Sequence, residues 1–158
     1  MKDVVKLDSS NCLTASECVQ IPFYDIDLAG IVWHGHYLKY FELARCVLLE
    51  GIDYSYRAMK RSGFLWPLVD TQIRYIHPLV LDQEVLVTAS LKEWELRLVF
   101  DYRITDKDGV VCTKGRTVQV PVEAKTNTLQ LGSPEVLLNN VENRKRALSQ
   151  SSQPDDRD

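Results

Sequence analysis

An α+β fold is predicted by the order of patterns along the chain. One strand-like segment comes first, a long amphipathic helical repeat second, and four segments of strand character third. Strands grouped after a helix, rather than alternating with helices, favour an antiparallel sheet carrying its helix on one face. At 158 residues, with 45% hydrophobic and 26% charged content, the chain has the size and composition of one soluble globular domain.

Residues 15–23 read as the first strand, and 24–36 as an irregular segment containing an Asp-Leu-Ala-Gly turn. Tyr37, Tyr40, Phe41, Ala44, Val47 and Leu48 then recur at helical spacing, with Gly51 placed to end the helix. A short second helix is expected over 54–61, closed by Gly63. From there the period changes. Residues 65–76 form a strand stopped at Pro78, and 84–94 alternate Val85, Val87, Ala89 and Leu91 against a more polar face. Leu96, Leu98, Phe100, Tyr102 and Ile104 continue the alternation as far as Asp106-Lys107-Asp108-Gly109, a hairpin signal. Because 82–105 exceeds one ordinary strand, the chain must bend near 94–97. Residues 110–122 return as the last strand, and 134–147 suit a short helix. The polar composition of 1–13 and 149–158 marks a flexible leader and a disordered tail, leaving 14–148 as a single domain.

A net charge of −3 and a pI near 5.6 give no electrostatic reason to expect nucleic-acid binding. The N-terminal residues lack a signal-peptide core, and no segment has the apolar run of a membrane span, so a cytoplasmic location is expected. Cys12, Cys18, Cys46 and Cys112 are scattered without a C-x-x-C pair, which indicates neither a disulfide framework nor a Cys-based zinc site.

The densest chemistry lies in 24–45, YDIDLAGIVWHGHYLKYFELAR. It resembles the active-site motif of the 4-hydroxybenzoyl-CoA thioesterase family, including the acyl-CoA thioesterases linked to the Tol-Pal system. In that motif D-x-x-G-[IV]-V leads through a short polar turn to Y-x-x-[FY]-E-x-A-R. Asp27, Gly30, Ile31, Val32, Tyr37, Phe41, Glu42, Ala44 and Arg45 fit it. The resemblance implies a hotdog fold, an antiparallel sheet wrapped around a long central helix and paired with a second subunit. It spans roughly residues 16–135 in element order.

Asp27 is the candidate catalytic carboxylate. A carboxylate ahead of a helix lies near free backbone N–H groups, which can also polarise a substrate carbonyl. The plainer alternative is that Asp27 caps its own turn; the resemblance places the family's catalytic aspartate here. By the same resemblance, His34 offers its backbone N–H to the thioester oxygen, with Gly35 as a conformational neighbour. Asp25 is expected as a turn or supporting residue. His34 and His36 form an H-x-H pair, but a metal site needs at least a third ligand, and none is assigned. Glu42 and Arg45 are spaced for a helix-surface ion pair. Tyr37 and Phe41 fall on the apolar helix face, where a core role outweighs ligand contact; Tyr37 is nevertheless carried as a substrate-binding candidate. Lys92, Arg97, Arg116 and Lys125 are the cations considered for CoA phosphates, with Arg suited to bidentate contacts.

The expected activity is hydrolysis of an acyl-CoA thioester, with Asp27 as nucleophile or as general base. No cofactor or metal is expected, and acyl carrier protein is an alternative carrier. Two rival functions are a hotdog hydratase or dehydratase using His34 or His36 with an acid, and a non-catalytic acyl-thioester-binding protein. A homo-oligomer is expected, with a tetramer of hotdog dimers as its form.

Overall fold

The computed structural model describes residues 4–151. In chain order its elements are β1 (Lys6–Leu7), β2 (Leu13–Gln20), α1 (Tyr37–Gly51), α2 (Tyr56–Ser62), β3 (Phe64–Leu65), β4 (Leu68–Tyr75), β5 (Glu84–Glu93), β6 (Leu98–Thr105), β7 (Val111–Gln119), β8 (Val122–Glu123), β9 (Thr128–Leu129) and α3 (Glu135–Ser151). Six strands make one antiparallel sheet in the order β1-β2-β5-β6-β7-β4, and β3, β8 and β9 make a small second one. The α+β expectation holds.

Strand alternation explains how α1 is seated. Val85, Val87, Ala89 and Leu91 of β5, with Phe100, Tyr102 and Ile104 of β6, form one buried cluster with Tyr40, Phe41, Ala44, Leu48 and Leu49 of the helix. Full burial of each large apolar side chain stabilises the fold by about 1.5–3 kcal/mol. Phe41 stacks on Tyr102 with ring centroids 4.4 Å apart. On the neighbouring strand a Cβ at Gly115 would collide with the Phe41 ring, so only glycine lets β7 run this close beneath the helix. These contacts also fix the sheet's polarity: residues 102 and 115 face α1, and their neighbours 101, 103, 114 and 116 face away.

Prolines divide strands that periodicity reads as continuous. The strand expected over 65–76 is split into β3 and β4 by Pro67, which has no N–H to donate but accepts from Val120 N–H at 3.2 Å. Likewise Pro121 divides the strand expected over 110–122 into β7 and β8. The first strand stops at Gln20, where Pro22 leads into a 3₁₀ turn at Phe23–Asp25. The bend expected near 94–97 is the connection between β5 and β6. Helix α2 starts two residues later than expected, at Tyr56, behind the cap Ser55, whose hydroxyl accepts from Ala58 N–H, and it closes on Gly63 at φ +80°.

Both ends of the fold extend beyond the expected domain limits. Residues 4–13, read as a leader, belong to the fold: Val5 is buried against Gly51, and Lys6 and Leu7 pair with β2. The polar character of the segment hides its apolar anchors, Val5 and Leu13. Helix α3 runs on to Ser151, so the expected tail begins inside it; residues 1–3 and 152–158 lie outside the described residues. No helix among the described residues is long and apolar enough to cross a membrane.

Candidate active site

Asp27 stands at the base of a tight hairpin. Ile26 and Val32 form an antiparallel bridge, Asp27 N–H donates to Ile31 O at 2.9 Å, and Gly30 N–H returns to Asp27 O at 3.0 Å. Gly30 closes the turn at φ +78°, a conformation that glycine adopts without steric cost. Within it, Asp27 Oδ1 accepts from Ala29 N–H at 2.8 Å. This is the Asx-type cap that the plain sequence alternative expects. It engages only one oxygen. Asp27 Oδ2 has no hydrogen-bond partner among the described residues, and the side chain is part-exposed.

Asp25 is in the opposite condition. It is 1% exposed, and it accepts from Lys39 Nζ at 2.6 and 2.8 Å and from Tyr40 O–H at 2.5 Å. Burial pushes the carboxyl up, but the Lys39 ammonium and the Tyr40 hydroxyl outweigh it and hold Asp25 below the usual carboxylate range. Asp25 O also accepts from Trp33 N–H at 2.9 Å, so this residue fastens both arms of the Asp27 hairpin to the first turns of α1. The expectation of a supporting residue acquires its partners here.

The chain enters α1 through a 3₁₀ turn at His34–His36. His36 N–H reaches back to Trp33 O at 3.0 Å, whereas the N–H groups of His34 and Gly35, first in the turn, have no carbonyl of their own helix to reach. Among the described residues neither has an acceptor, and an oxyanion site is built from donors of this kind. The His34 carbonyl is fixed from β4 by the Tyr75 hydroxyl at 2.7 Å. A Cβ at Gly35 would run into the Trp33 ring, so glycine here lets the indole lie over the turn. That ring packs against both imidazoles, with centroids 5.0 Å from His34 and 5.2 Å from His36. Among the described residues, no three His, Cys, Asp or Glu side chains are grouped to hold a metal ion.

The structure corrects Tyr37 as a substrate contact within its own protomer. It is 2% exposed, accepts from Leu79 N–H at 3.4 Å and meets the Tyr75 ring edge-on. The expected surface pair of Glu42 and Arg45 is also half internal: Arg45 is buried, reaching Glu42 at 2.6 Å and the Tyr102 hydroxyl at 3.2 Å.

The candidate phosphate-binding cations do not converge on Asp27 in this protomer. The Asp27 hairpin is tied to the Glu84 end of β5 through Ile21 N–H to Gln83 O and Val32 N–H to Leu79 O, both 2.9 Å. Lys92 lies near the far end of that strand, roughly 26 Å along at the ordinary strand rise, with its ammonium 3.6 Å from Cys12 Sγ. Arg97 follows in the next turn, bonded to Glu93 at 3.0 Å. Arg116 is on the sheet face away from α1, paired in a fork with Asp101 at 2.6 and 3.0 Å.

Residues 21–149 match the sequence profile of a family described as the thioesterase-like superfamily. The chain belongs to that superfamily. A relative, YneP of Bacillus subtilis, provisionally named an acyl-CoA thioesterase, is 26% identical over 68% of this chain and 79% of its own length. The acyl-CoA thioester hydrolase YbgC of Escherichia coli O6:H1 is 23% identical over 66% of this chain and 79% of its own. Among solved structures, a DHNA-CoA thioesterase from Staphylococcus aureus superposes with a TM-score of 0.75 at 21% identity, covering 89% of this thioesterase-like chain and 96% of that one. At that identity the likeness establishes the fold, which is the hotdog fold.

The parts that Lys39, Tyr40 and Tyr75 play in bracing the hairpin and the helix start escape sequence reasoning. Lys39 and Tyr40 stand three and four residues after His36, so all three can meet Asp25 from one helix face. That spacing is readable; its target is not.

Proposed function

We propose that this chain hydrolyses an acyl-CoA thioester, with Asp27 as the attacking group or as the base that activates water, and with the His34 and Gly35 amides receiving the oxyanion. One observation supports the choice of Asp27 above all: its Oδ1 is anchored on Ala29 N–H while Oδ2 has no partner among the described residues. A carboxylate held by one oxygen keeps its orientation and presents the other to a reactant. The departing thiolate is a good leaving group and needs no strong acid. A hydratase would need an acid paired with histidine. His36 Nε2 does lie 3.8 Å from Asp25 Oδ1, but Lys39 and Tyr40 already occupy that carboxylate, which favours hydrolysis.

The working site is a composite of two subunits in this proposal. Strand β4 ends the main sheet with one free edge, and Leu68, Val69 and Tyr75 on it are all more than two-fifths exposed. An eight-residue strand with an unpaired edge is a template for pairing with a second copy. A twofold antiparallel pairing of β4 with its copy brings the Leu68 end of one protomer beside the Tyr75–His34 end of the other. Arg97, beyond that distant end of β5, then approaches the partner's Asp27 rather than its own. CoA is the proposed carrier, with acyl carrier protein the alternative.

Thiol release is the direct test, measured over aromatic, short-chain and long-chain acyl-CoA and one acyl-carrier-protein thioester. Turnover of at least one CoA thioester is expected. A chain that binds these thioesters without releasing thiol from any of them is a binding protein instead.

A further inference from the structure

On the face of the sheet opposite α1, side chains from successive strands fall into two continuous rows. Register places Ser16 beside Thr88, Thr88 beside Arg103, Arg103 beside Lys114, and Lys114 beside Arg74. The adjacent row runs Thr14, Ser90, Asp101, Arg116 and Gln72. Neither row contains an apolar side chain, which makes the face a poor surface for another protein's hydrophobic patch.

Its charge is unbalanced. Arg116 is neutralised by Asp101, but Arg103, Lys114 and Arg74 have no ion-pair partner among the described residues. Lys114 is directly cross-strand from both arginines. Like charges in directly opposed positions destabilise a sheet, and none of these three is ion-paired to a carboxylate among the described residues. They line a groove of about 730 Å³ with Lys92, Thr88 and Ser90; its two carboxylates, Asp8 and Asp101, are engaged by the Ser10 and Cys12 amides and by Arg116.

We propose that this groove binds a nucleotide-sized molecule carrying at least two phosphate groups. Strands lie about 4.8 Å apart, so the three heads span roughly 10 Å, the reach of two or three phosphates. Guanidinium groups suit phosphate oxygens bidentately, the lysine supplies a point charge, and the hydroxyls supply further donors. The groove volume is that of a small-ligand site. The site is separate from Asp27, which belongs to the hairpin at the start of α1, the helix seated on the other face. Such a ligand could come from CoA through its nucleotide end or from a free nucleotide, and the two share the phosphate chemistry.

Isothermal titration of the full chain with adenosine 3′,5′-bisphosphate, CoA and unphosphorylated adenosine tests the proposal. Saturable binding of the bisphosphate at one site per protomer is expected, with none of adenosine. An Arg103→Gln/Lys114→Gln double variant should bind at least roughly tenfold more weakly, the loss expected on removing charge-assisted hydrogen bonds. Its melting temperature should not fall, since like charges are removed, and the bisphosphate should raise the wild-type Tm only. Asp27→Asn should bind the bisphosphate unchanged, so the result stands whatever happens to thioester turnover. CoA binding weakened by the same double variant identifies the nucleotide end of CoA as a source; bisphosphate binding without CoA binding identifies a free nucleotide. Absence of saturable bisphosphate binding, or equal affinity in the folded double variant, overturns the site.

Discussion

Both oxygens of the Asp25 carboxylate accept from the Lys39 ammonium, at 2.6 and 2.8 Å, so the first acid of the Asp-Ile-Asp sequence is committed to holding the helix. Two residues on, Asp27 spends a single oxygen on its own turn. One local sequence thus yields a structural anion and an available one.

Asp25→Asn is therefore expected to cost stability more than chemistry. Because the folded-state pKa of Asp25 is depressed, its contribution is present above the unfolded carboxylate value of about 3.9 and is lost as pH falls through the folded value. Near neutral pH the variant should lose about 2 kcal/mol, the scale of a hydrogen bond to a charged group. Denaturant titrations from pH 7 downward should show the gap between wild type and variant closing below about pH 4. A constant gap down to pH 2 would mean that the ion pair is not the source.

His34 is expected to act through its peptide group. His34→Ala keeps the N–H and should lower kcat only modestly. His34→Pro removes that donor at the first position of a helical turn, where proline fits the backbone. The proline variant should keep its circular dichroism spectrum while kcat falls by roughly 10²-fold, as on losing one oxyanion donor. Equal activity in the two variants would remove the amide from the mechanism.

Much of this architecture was legible in the residues. The Tyr37-to-Leu48 repeat locates α1, and the Val85-to-Leu91 alternation gives the inner face of β5, because both depend on local period. Pro67 and Pro121 divide strands that hydrophobicity alone joins, since a missing N–H leaves the apolar pattern intact. Asp27 and Gly30 announce their turn through short-range chemistry. What holds that turn in place is Asp25 meeting Lys39 and Tyr40 across 14 and 15 residues, a contact that exists only after the chain has folded back. The phosphate-binding candidates lie away from Asp27 of their own protomer for a related reason: sequence gives their charge, while the far end of β5 and the outer sheet face are properties of register.

The free edge of β4 should bring two copies together. Light scattering at micromolar concentration is expected to show a dimer or a tetramer with no dominant monomer. Placing Lys at both Leu68 and Val69 should break the assembly and reduce turnover with it, because charge on an edge strand blocks pairing. A monomeric variant with full activity would show that each protomer carries a complete site.

The most direct test of Asp27 is thiol release by Asp27→Asn and Asp25→Asn compared side by side, at a temperature where both are folded. Asparagine keeps the shape of the side chain and can still accept from Ala29 N–H, but it is neither an anionic nucleophile nor a base. Asp27→Asn is predicted to lose at least roughly 10²-fold in kcat, the lower end of general-base effects, while Asp25→Asn loses much less. Near-wild-type kcat in Asp27→Asn, or the reverse order of losses, would contradict the assignment.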